Sequence, residues 1–107
     1  MLTADDVRAA DIKLCTEYAL VIAATPKPLT AENGLVATMA AVRTSLAAHP
    51  EASSDLQAVL NDVVEGFFAT LSDDVNNELK GLVEPPEYDK GAVQATYDRA
   101  WARCGFK

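Results

Sequence analysis

An all-α fold, a small bundle of four helices organised around one long central helix, is what this sequence predicts; a fifth helix appears if the long one breaks. Three observations predict it. Apolar residues recur at spacings of three and four, the period of a helix face. Alanine is used heavily, and Gly and Pro, five of each, sit mainly where helices would end. No run of Val, Ile, Thr or aromatic residues alternates strictly with polar ones, as a half-buried strand would. A chain of 107 residues is one domain, 1–107, with one modest core.

The first helix should begin at Thr3, whose hydroxyl can cap it, with Asp5 and Asp6 at the positive end of the helix dipole. Val7, Leu14, Tyr18, Val21 and Ile22 define its buried face, widened by Ile12, Cys15 and Ala19. It must end before Pro26, and Thr25-Pro26-Lys27-Pro28 reads as a stiff, extended connector. The second helix opens at Thr30 with Glu32 in its first turn, although Gly34 weakens that turn and could move the start to Asn33. Leu35, Met39, Val42 and Leu46 give it a seam of fours and threes. It stops near Ala48, because His49 precedes Pro50.

The central helix is predicted over Ser54–Val83, capped by Ser53 or Ser54. Ser72-Asp73-Asp74 resembles a fresh N-terminus, but the apolar period runs through Leu71, Val75 and Leu79 unbroken, which favours continuity. Pro85-Pro86 must end it. The last helix should run from a cap at Asp89 to Cys104, with Gly105 just beyond, burying Val93, Tyr97, Ala100, Trp101 and Cys104.

The net charge of −7 is unevenly spread. Residues 51–89 hold ten acids against one base, Lys80, whereas Lys90, Arg99, Arg103 and Lys107 outnumber Asp98 in the tail. Such a chain repels phosphate backbones and anionic lipid, so neither direct nucleic-acid binding nor a membrane partner is expected. The apolar run 18–24 is too short to span a bilayer, and the acidic N-terminus does not read as a signal peptide. A cytoplasmic protein is the expectation. Cys15 and Cys104 form no CxxC motif, and two buried free thiols are favoured over a redox pair, although helices 1 and 4 could bring them to similar heights.

Catalytic chemistry has little to stand on. The single histidine, His49, lies in a His-Pro link and reads as a turn residue rather than a general base. One His and two distant Cys offer no zinc spacing, and neither a Glu-x-x-His pair nor a Gly-rich phosphate loop is present. No enzyme, no metal and no cofactor are therefore predicted. Arg99, Arg103 and Lys107 beside Trp101 and Phe106 mix base with aromatic, as a single-strand platform would, but three charges are few against −7. They read better as complements to the acidic central helix, within the same fold or in a dimer.

The informative feature is the apolar arc of that helix. At about 100° per residue from Asp55, it spans about 40° to about 240°, wider than a surface helix needs. The excess flank is Val64, Phe68, Val75 and Leu79, while Asp55, Asp62 and Asp73 lie on the far, acidic face. Either the flank is core, wrapped by the other helices, or it is an interface anchored on Phe68. The expected function is a small acidic protein that docks on another protein as an inhibitor, anti-activator or adaptor of bacterial or phage type, resting as a homodimer. The alternative is an acidic nucleic-acid mimic that fills the basic groove of a DNA- or RNA-binding protein.

Overall fold

The computed structural model describes residues 2–79 and 88–106, without the side chains of 76–79. Four helices, α1 (Ala4–Ala24), α2 (Leu35–Ala48), α3 (Ser54–Leu79) and α4 (Lys90–Arg103), make an all-α bundle, and no strand occurs among the described residues. α3 packs against both α2 and α4, and α1 packs against α2. The core between them is Leu14 of α1, Leu35 and Val42 of α2, and Leu56, Leu60, Val63 and Phe67 of α3, all essentially without exposure.

Local chemistry sets most of the boundaries. Thr3 and Asp6 form a reciprocal cap: the Asp6 amide donates to the Thr3 hydroxyl at 3.1 Å, and the Thr3 amide donates to the Asp6 carboxylate at 3.0 Å. The Thr3 backbone bond, then its hydroxyl, holds the Asp6 pKa below the ordinary carboxylate value. α1 ends at Thr25, ahead of Pro26, and the following Lys27-Pro28 bond is cis. The second helix departs from expectation. Thr30 opens only a short 3-10 turn, Ala31–Asn33, and gives it no side-chain cap. α2 starts afresh at Leu35, because Gly34 takes φ +86°, a left-handed conformation that closes the turn and that glycine adopts without a Cβ penalty.

α3 continues unbroken through Gly66 and Ser72 to Leu79. The predicted end before Pro85-Pro86 falls outside the described residues. At Gly66 α4 approaches closely: a Cβ there would sit 3.4 Å from both Tyr97 Cε1 and Val93 Cγ1. α4 is capped by Asp89, which accepts the Ala92 amide at 3.1 Å. Ile12, placed by its spacing on the buried face of α1, is instead 58% exposed. α1 buries the narrower stripe Ala10, Leu14, Cys15 and Tyr18, and Ile12 lies outside it.

One end of the bundle is clamped twice. Cys15 and Cys104 are joined by a disulfide with 5.5 Å between Cα atoms, which corrects the expectation of two free thiols. The pairing depends on the relative heights of the first and last helices, which spacing alone does not fix. Beside it, the Asp11 carboxylate accepts the Ser53 amide and hydroxyl, both at 2.7 Å, so α1 holds the start of α3. Arg103 donates from Nε and Nη2 to the two oxygens of Asp55, and from Nη2 to Ser53 Oγ at 2.9 Å. Arg103 of the basic tail thus complements Asp55 of the acidic helix within one fold.

Arg103, ahead of smaller contributions, lowers the Asp55 pKa to about 2. A carboxylate depressed on folding stabilises above its ordinary pKa of about 4, and that contribution is lost as pH falls through the folded value. Thermal midpoints measured from pH 5 down to pH 2 should therefore fall less steeply in Asp55→Asn than in the parent protein. Equal slopes would show that the pair contributes nothing to acid sensitivity.

Candidate functional site

Two surfaces stand out. The first is the outer edge of α3. Phe67 and Phe68 differ by one step of about 100° around the helix, and that step separates core from surface. Phe67 is fully buried, its ring 5.3 Å from that of Tyr97, whereas Phe68 is 58% exposed. Val75, two turns on along the same edge, is 36% exposed. Val64 is partly buried against the core and forms the inner margin of the edge. The side chain of Leu79, the fourth residue predicted for this flank, lies outside the described residues. Of the four residues predicted for this flank, Phe68 and Val75 are thus exposed along one edge, and Val64 packs against the core.

The predicted acidic face is less uniform. Asp62 is exposed, Asp55 is held by Arg103, and Asp73 is half-buried, facing a cleft on another side of the molecule. Glu65, also exposed, sits one turn before Phe68 and gives the apolar strip an acidic margin.

The second surface is that cleft, which spacing did not reveal. α1 and α4 meet at the disulfide and at the edge-on contact of Tyr18 with Trp101, 6.3 Å between ring centroids. Beyond that point the cleft opens between them, with a volume of about 800 Å³. Thr70 of α3 and the segment 27–30 also line it. The Thr25 and Thr38 hydroxyls, 2.6 Å apart, fix the end of α1 on α2, and the Ala31 amide donates to Asp74 at 3.0 Å, fixing the segment on α3. Burial, with a smaller effect from Tyr97, pushes the Tyr18 phenol up to about 12. The Tyr97 phenol is also raised, mainly by burial, with the Thr70 hydroxyl opposing and Tyr88 adding. Its hydroxyl is buried and, among the described residues, has no partner at hydrogen-bonding distance, so the Thr70 hydroxyl acts on it from further away. Tyr18, Tyr97 and Trp101 were legible as apolar-face residues; what joins them into a cleft is the divergence of two helices far apart in sequence.

His49 also finds partners. Its Nε2 pairs with Glu17, its Nδ1 lies 3.8 Å from Glu51, and the Ser45 hydroxyl donates to the other Glu17 oxygen at 3.1 Å. Serine and histidine therefore share a carboxylate rather than a proton, which is not the geometry of an activated nucleophile. The cluster fastens α1 to the end of α2. Among the described residues, no group of three or more His, Cys, Asp or Glu side chains is placed to hold a metal ion. None of the described helices is long and apolar enough to cross a membrane.

No protein-family profile, curated protein or solved structure matches this chain.

Proposed function

We propose that this is a non-enzymatic binding protein that docks on a partner protein through the outer edge of α3, acting as an inhibitor, anti-activator or adaptor. The observation that carries this reading is the exposure of Phe68 beside Val75 on a helix whose adjacent face already fills the core. An aromatic side chain left in water at the middle of a rigid helix is a suitable interface anchor. The partner that fits is an apolar groove with a basic rim. Residues 51–79 carry seven acids and no base, and Asp62 and Glu65 accompany Phe68 on the exposed side.

A second copy of this chain is the competing occupant, and the same charges count against it: pairing two α3 edges brings like charges together. The nucleic-acid mimic is supported less well, since Asp55 is engaged by Arg103 and Asp73 faces the cleft. The disulfide favours an oxidising compartment over the cytoplasm, where thiols are kept reduced.

The double variant Phe68→Asp/Val75→Asp should keep its helical circular dichroism and lose complex formation by at least tenfold, read by calorimetry with the purified partner. Sedimentation of both proteins would reveal a homodimer if one forms. Binding that survives this variant but is lost in Asp62→Lys would instead support the mimic.

A further inference from the structure

We infer that the cleft between α1 and α4 is a binding site for a small organic cation bearing an apolar group, of the alkylammonium class. All three tyrosines and the one tryptophan of the chain line it: Tyr18 from α1, Tyr88 just before α4, and Tyr97 and Trp101 from α4. A volume of about 800 Å³ falls within the range of small-molecule sites, and aromatic walls with a few polar groups are typical of them. Tyr and Trp faces carry the negative side of the ring quadrupole, so they attract cations, quaternary ammonium groups above all.

The charges at the cleft point the same way. Among the described residues, Asp73, Asp74 and Asp98 line it against Lys27 and Lys90, an excess of one negative charge in a chain of net −7. That field draws a cation in and repels a carboxylate or phosphate of the same size. Asp74 is held in place by the Ala31 amide, and Asp98 accepts a hydrogen bond from Gln94 at 3.1 Å; among the described residues, neither carboxylate is in an ion pair with a cationic side chain. Ile22, Leu29 and Val93 supply apolar wall for the ligand's hydrocarbon part. The site is separate from the α3 edge and would stand if that edge bound nothing.

Trp101 is the sole tryptophan and lies in the cleft, so its fluorescence reports occupancy directly. The full chain would be titrated with hexyltrimethylammonium, hexanoate and hexanol, which share a chain and differ in head-group charge. The expected result is a saturable change with the ammonium compound, at least tenfold weaker binding of hexanol, and no saturable change with hexanoate. Ala23→Phe, at an exposed position on the cleft wall, should weaken the ammonium compound at least tenfold with the thermal midpoint unchanged. Asp98→Asn should weaken it several-fold and leave hexanol unaffected. Binding of hexanoate or hexanol as tight as that of the ammonium compound would overturn the inference, as would no saturable binding of any of the three, or indifference to Ala23→Phe.

Discussion

Phe67→Ala is expected to destabilise the protein by about 3–5 kcal/mol, whereas Phe68→Ala should change stability by no more than about 0.5 kcal/mol. The two residues are neighbours of identical chemistry, so the contrast isolates burial. Phe67 is fully enclosed and touches Tyr97 across the α3–α4 contact. Truncating it removes the transfer energy of a ring and leaves a cavity lined by side chains that relax only in part. Phe68 is more than half in water, so alanine removes contacts that are mostly with solvent. Urea unfolding of the two variants beside the parent measures both effects. Similar losses for the two would mean that the outer edge of α3 is core, and the docking reading would fall with it.

Replacing both Cys15 and Cys104 with alanine is expected to cost about 4 kcal/mol, toward the upper part of the range for native disulfides. The bond closes a loop with a sequence separation of 89, so it removes much of the freedom of the unfolded chain. For a domain of this size, about 4 kcal/mol lowers the thermal midpoint by roughly 15–30 °C. The effect should be concentrated at the clamped end, where α1 and α4 also meet through Tyr18 and Trp101. Scanning calorimetry of the oxidised protein against the double variant provides the measurement. A midpoint shift of only a few degrees would show that Asp11, Ser53, Asp55 and Arg103 suffice to hold that end.

What could be read from the sequence follows the range of the interactions concerned. The Thr3–Asp6 cap spans three residues and was legible. So was the continuity of α3 past Ser72, because an apolar period is a local signal. The angular count set Phe68 on the flank beyond an ordinary apolar stripe but left open whether that flank was core or surface. Features that depend on how distant elements settle were not legible. Ile12 fits the helical period of α1, yet the neighbouring helices cover only a narrower stripe. The start of α2 turned on whether Gly34 would take a left-handed φ, which propensity does not decide. The disulfide and the aromatic cleft both arise from the meeting of α1 with α4, the two ends of the chain.

The docking of α3 on a partner is tested most directly by placing a photo-reactive phenylalanine analogue at Phe68 and, as a control, at Ile12, which is equally exposed on α1. After irradiation in cells of the native host, docking through this edge would give a single discrete adduct with another protein from position 68, lost on adding Val75→Asp, and none from position 12. No adduct from position 68, or the same adducts from both positions, would contradict it.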